Sequence, residues 1–156
     1  MAVKWNKIYR GGVQRTTPET REIKAPATGS LQPGMGATIS AAGVLTLVAA
    51  TDQFIYFVGE PMHGTVDDQL AGATADTADT VRMYSPHSGD LYAARVVAGI
   101  TLVDDTPLTL TASGQFKGAV VGTDKVHCYV DNPASAHPGT TPATSTLNQL
   151  VPVKIK

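Results

Sequence analysis

The sequence predicts an all-β protein, a single-domain β-sandwich or barrel, on three observations. Thr, Ala, Gly and Val dominate, while charged residues are only 16% of the chain, below the ~25% of ordinary globular domains. Apolar runs are short, tend to alternate, and stop at Gly, Pro or a Thr-Asp pair, as strands and turns do. The third observation is a repeat. TISAAGVLTLVAATDQFIYFVGEP, residues 38–61, returns as TLTASGQFKGAVVGTDKVHCYVDNP, residues 109–133. Thr38, Ala41 and Gly43 match Thr109, Ala112 and Gly114 at one offset. After one inserted residue, Val48, Thr51, Asp52, Val58 and Pro61 match Val120, Thr123, Asp124, Val130 and Pro133. Each copy has a short run, a turn at glycine, a second run, a Thr-Asp turn and a third run closed by proline. That plan predicts two similar three-strand meanders sharing one core, because a half of about seventy residues buries too little surface to stand alone.

Three stretches follow along the chain. Residues 1–30 read as an extended N-terminal arm, since Gly11-Gly12, Pro18 and Pro26 leave room only for a short strand at Thr20–Lys24. Residues 31–131 form the β-sandwich or barrel body. Leu31–Met35 supplies a Pro-Gly turn into the first meander, and Phe54–Val58, apolar on both faces, predicts a central strand. Residues 62–80 are acidic and low in complexity. Thr65 followed by Asp68 resembles a capping box, so a short helix over Asp67–Ala73 stands beside the surface-loop reading. Val81–Tyr84 and Leu91–Val97 predict strands around a turn at Ser85–Asp90, and Gly99–Val103 continues the sheet. Residues 132–156 read as a Pro/Ser/Thr-rich linker ending in an edge strand, because Leu150–Lys156 sets Val151, Val153 and Ile155 on one side and Pro152, Lys154 and Lys156 on the other. That strand pairs within its own chain by default, although a long linker also permits exchange between subunits.

Net charge is −1, which argues against a dedicated nucleic-acid binder. Its distribution is uneven: residues 1–24 carry +4, residues 25–153 carry −7, and Lys154 and Lys156 restore +2. Trp5, Ile8 and Tyr9 on the basic arm, with Lys4, Lys7, Arg10 and Arg15 around them, mark it as a candidate partner-binding segment. Cys128 is the single cysteine, so no intrachain disulfide forms. No signal-peptide pattern opens the sequence and no apolar run reaches membrane-spanning length. The expectation is a chain made soluble in the cytoplasm, without a membrane.

No reactive constellation emerges. His63, His87, His127 and His137 are scattered, and adjacent His127 and Cys128 point to opposite faces of a strand, so no metal is expected. Asp67, Asp68, Asp76 and Asp79 do not have calcium-loop spacing. Ser85, His87, Ser88 and Asp90 hold the letters of a hydrolytic triad within six residues, where turn chemistry is the better reading. The expectation is no enzyme and no cofactor.

The segments GxLTxVxAxTD and FKGAVVGTD, leading into YFVGEP and CYVDNP, with an extended arm and no catalytic motif, resemble the head decoration, or cement, proteins of tailed bacteriophages. The resemblance implies a structural protein on the exterior of the virion capsid, synthesised in the host cytoplasm. It implies a homo-oligomer, a trimer or dimer, whose partner is the major capsid protein and which clamps adjacent capsomers. Under it, Trp5, Ile8 and Tyr9 are apolar anchors, with Lys4, Lys7, Arg10 and Arg15 as electrostatic guides. The rival expectation is a phage tail or surface module that binds carbohydrate, for which three Phe, five Tyr and one Trp offer few stacking platforms.

Overall fold

The computed structural model describes residues 8–11, 19–24, 31–39, 45–46, 55–61, 80–131, 143–146 and 149–156. Among them there is no helix, and the chain forms a single-domain β-sandwich as its composition predicts. The candidate helix at Asp67–Ala73 lies outside the described residues. The strands are β1 (Tyr9–Gly11), β2 (Glu19–Lys24), β3 (Gly36–Ile39), β4 (Leu45–Thr46), β5 (Tyr56–Pro61), β6 (Thr80–Ser85), β7 (Leu91–Val96), β8 (Thr101–Leu102), β9 (Pro107–Leu110), β10 (Phe116–Gly118), β11 (Cys128–Val130), β12 (Ala143–Thr144) and β13 (Gln149–Lys154). One sheet runs β2-β6-β5-β3-β4. The other runs β1-β7-β10-β9-β11-β13, and β13 also pairs with β7.

The repeat extends well beyond the matched segments. The first half has the order β2-β6-β5-β3-β4, and the second half reproduces it as β7-β13-β11-β9-β10. Registers correspond as well. Thr38 faces Thr46 and Ile39 faces Leu45 in β3–β4; 71 positions later Thr109 faces Lys117 and Leu110 faces Phe116 in β9–β10. Gly36 faces Phe57 and Ala37 faces Tyr56, as Pro107 faces Tyr129 and Leu108 faces Cys128. Arg21 faces Met83 as Tyr92 faces Val153. The turn before each copy matches too. Met35 N–H donates to the Gln32 carbonyl at 3.2 Å and Gly34 N–H to Val58 at 2.8 Å; Thr106 N–H donates to Val103 at 3.0 Å and Asp105 N–H to Val130 at 2.9 Å. Gly34 and Asp105 both have positive φ, 86° and 63°. That conformation is free for glycine and tolerated by aspartate.

The strand order corrects the meander expectation. In each copy the first strand is central, with the second and third on either side of it; in the second copy the segment carrying the Thr-Asp turn therefore crosses over the first strand instead of closing a hairpin. The second half goes one step further. Phe116 on β10 pairs in parallel with Val96 on β7, and Val97 N–H donates to the Phe116 carbonyl at 2.9 Å, so β7-β10-β9-β11-β13 closes into a ring. Residues opposite one another in register share a face. The ring is therefore lined by Tyr92, Ala94, Val96, Leu108, Leu110, Phe116, Cys128, Val130, Val151 and Val153, all buried.

β13 lies inside this ring, not at an edge: it pairs with β7 over all six residues and with β11 at Val153 and Lys154. Pro152 is compatible with that position because its missing N–H faces Asp131, one residue past the end of β11. The Pro152 carbonyl still accepts the Asp131 N–H at 2.9 Å, so only a terminal ladder bond is forfeited. The linker is also tied down part-way. β12 pairs with β8, and Ser145 bonds Ile100 N–H (2.8 Å) and the Val97 carbonyl (2.7 Å) through its hydroxyl.

Two apolar clusters result, and they correspond. Leu31, Ala37, Val58, Val81 and Met83 are buried in the first half; Leu102, Leu108, Val130, Val151 and Val153 occupy the same positions in the second. The halves meet where Ile55, Phe57 and Tyr84, on the other face of the first sheet, join the second cluster. Phe57 stacks on Tyr92 (4.5 Å between centroids, 6° between planes) and on Phe116 (5.3 Å). Arg95, fully buried, donates from Nε to the Pro33 carbonyl at 3.0 Å while its N–H bonds the Gly34 carbonyl at 2.8 Å. Burial lowers that guanidinium to about 10.

Candidate interaction site

The residues expected to bind a partner are placed unevenly. Lys4, Trp5, Lys7 and Arg15 lie outside the described residues. Tyr9 and Arg10 are on β1, which pairs antiparallel with β7. Ile8 is fully buried in the chain's own core, and its carbonyl accepts the Ala93 N–H at 2.8 Å. The expectation that Ile8 reaches out to a partner does not fit that burial. This residue pins the start of the chain to the body, covering the stretch of β7 that β10 leaves unpaired.

Among the described residues, Asp90, Cys128 and His127 are taken up by the fold. At the turn between β6 and β7, Asp90 is buried; its Oδ2 accepts from His87 N–H at 3.2 Å and from the Tyr92 hydroxyl at 3.3 Å. The Tyr92 hydroxyl also lies 3.4 Å from the Ser85 carbonyl. Ser85, His87 and Asp90 thus build a turn, as their spacing predicts. Burial pushes the Cys128 thiol well up, which makes it a poor nucleophile. Burial, then the charge of Lys125, pulls His127 down, so its imidazole is neutral near pH 7. Among the described residues no three His, Cys, Asp or Glu gather as a metal site.

Two surface features remain, both in the second half. Near the C-terminus, Asp105 sits 3.1 Å from Lys154 Nζ and 3.0 Å from Lys156 Nζ, and Lys154 lies 3.8 Å from Asp131. Lys156 also lies 4.1 Å above the Tyr129 ring. The lysine hydrogen bonds hold the Asp105 carboxyl below its ordinary range, although exposure leaves the cluster open to screening. This is a clasp on the end of β13, with its charges mutually satisfied.

The other feature is the segment after β10. Val120 and Val121 are 63% and 77% exposed, in a turn where Asp124 Oδ2 accepts the Val120 N–H at 3.0 Å. The Val120 carbonyl accepts the N–H groups of Thr123 and Asp124 at 3.0 and 2.9 Å. Lys117 and Lys125 flank it, both exposed. These valines fall in the second run of the repeat, expected as a strand, but β10 ends at Gly118. The warning lay in Gly118 and Gly122 on either side. No protein-family model matches the chain, and no curated protein matches it.

Proposed function

We propose that the protein is a virion structural component that binds the exterior of an assembled tailed-phage capsid and holds adjacent capsomers together, with the major capsid protein as its partner. The reading begins from the sequence resemblance. The observation that carries it further is how the described side chains are used: Asp90 closes a turn and Cys128 is buried in the core, while ordered apolar surface is left at Val120 and Val121. That is the profile of a body built to be bound, not to turn over a substrate. Stabilisation then follows from linkage, since a ligand that binds only the assembled lattice adds its binding free energy at every site, about 2.7 kcal/mol at a hundredfold excess over Kd. Lys4, Trp5 and Lys7, preceding the buried Ile8, stay in this reading as anchors and guides on the shell.

The test is sedimentation of the purified chain with assembled, undecorated shells. The expected result is saturable pelleting and a higher temperature of shell disruption. A chain that stays in the supernatant at concentrations that saturate ordinary interfaces refutes the reading. Removing residues 1–7 alone, which spares the core residue Ile8, is expected to weaken pelleting without unfolding the body.

A further inference from the structure

The internal repeat provides a control within one chain. Positions that correspond in order and register reveal what the scaffold requires, and positions that differ reveal what it does not. In and after β10 the second half carries Lys117, Val120, Val121 and Lys125; the corresponding residues in the first half are Thr46, Val48, Ala49 and Gln53. Both halves keep the frame V-x-x-T-D. In the second half the Asp124 side chain closes the turn, and Val120 and Thr123 take part through their backbone. Neither the second valine nor either lysine is part of it. Among the described residues no carboxylate lies within ion-pair distance of Lys117 or Lys125. A Cβ added at Gly118 or Gly122 would meet nothing within 4 Å. The turn is therefore ordered and projecting, apolar at its tip and doubly cationic at its base.

We propose that Lys117, Val120, Val121 and Lys125 form a protein-docking surface whose occupant presents an apolar hollow edged by carboxylates. The tip is held by its own hydrogen bonds, so docking gives up little conformational entropy. The two ammonium groups, which meet no carboxylate among the described residues, steer an acidic rim towards it and fix its orientation. A lipid surface is the poorer fit: interfacial segments carry Trp, Phe or Leu, and lipid-binding clusters hold four or more basic residues. The surface rests on the shell-binding reading only for the identity of the probe, the assembled shell.

The experiment compares wild type with Val120→Ser/Val121→Ser and with Lys117→Gln/Lys125→Gln in shell pelleting at low and high salt. All four side chains are exposed, so the urea midpoints should stay at the wild-type value. The valine variant is expected to lose at least about tenfold in affinity at both salt concentrations, as removing two anchors does. The lysine variant is expected to lose about tenfold at low salt and much less at high salt. Wild-type pelleting matched by both variants overturns the surface and leaves the shell reading intact. No pelleting by wild type overturns both. Flotation of wild type, but not of the variants, with phosphatidylserine/phosphatidylcholine vesicles replaces the protein partner by a membrane. Self-association that vanishes in the valine variant while shell binding persists replaces it by a second copy of the chain.

Discussion

Replacing Phe57 by alanine removes a fully buried ring that belongs to the first half and is stacked on two rings of the second, Tyr92 at 4.5 Å and Phe116 at 5.3 Å. A buried Phe→Ala change costs about 3–5 kcal/mol through lost transfer energy and the cavity left behind, and stacked partners place this site in the upper part of that range. With a urea m-value of about 2 kcal/mol/M, the midpoint should fall by roughly 2 M. The repeat supplies the matched comparison. Tyr129 holds the same position in the second half, but it is half-buried and its ring meets Lys156 at 4.1 Å, so Tyr129→Ala should cost about 1 kcal/mol or less. Urea unfolding followed by both tyrosine fluorescence and far-UV circular dichroism separates the two. A Phe57→Ala shift no larger than that of Tyr129→Ala would refute the placement of Phe57 at the joint. A wild-type transition in two steps, one per half, would refute the shared core itself.

Two further outcomes follow from the turn that opens each copy. At Gly34, with φ of 86°, an added Cβ would lie 2.5 Å from Leu150 Cδ2 and 2.8 Å from the Ala93 carbonyl oxygen; Gly34→Ala should destabilise by about 1–3 kcal/mol, and an unchanged thermal midpoint would contradict that contact. At Asp105 the folded-state carboxyl is held down by Lys156 and Lys154, so the unfolded chain binds its proton first as pH falls. The clasp's contribution is complete above the ordinary aspartate range and is lost on acidification below about pH 4. Asp105→Asn should therefore lower stability at pH 7 and flatten the acid limb of the stability curve; an acid limb identical to wild type counts against the clasp.

The strands were legible in the sequence because alternation, Gly turns and Pro stops are local signals. The repeat was legible for the same reason, and its one inserted residue reappears in the pairing: Thr46 of β4 corresponds to Lys117, 71 positions on, whereas Phe57 of β5 corresponds to Tyr129, 72 positions on. Strand order was not. A meander and an arrangement with the first strand central use the same residues with the same alternation, and they differ only in which edges meet. β13 carries Pro152 and Lys154, with Lys156 just beyond it, the signals of an edge, but Pro152 falls where the β11 ladder ends and the lysines meet Asp105 and Asp131. Ile8 was read as part of an arm because Gly11 and Gly12 follow it, whereas its burial depends on a gap beside β7 that no local pattern announces.

Two halves with one topology meet here through unlike faces. The joint between them is heterologous. One face of the first sheet, bearing Ile55, Phe57 and Tyr84, meets the lining of the second half's ring. Unlike a twofold contact, a joint of this kind leaves a matching face open at the far end, and repeated without change it would propagate. In the second half the positions of Ile55, Phe57 and Tyr84 are held by His127, Tyr129 and Lys154, and Lys156 covers the ring of Tyr129. Those substitutions replace an apolar seam with polar, partly buried side chains, of which Lys154, together with Lys156, pairs with Asp105. The apolar surface at Val120 and Val121 lies on a turn outside the joint.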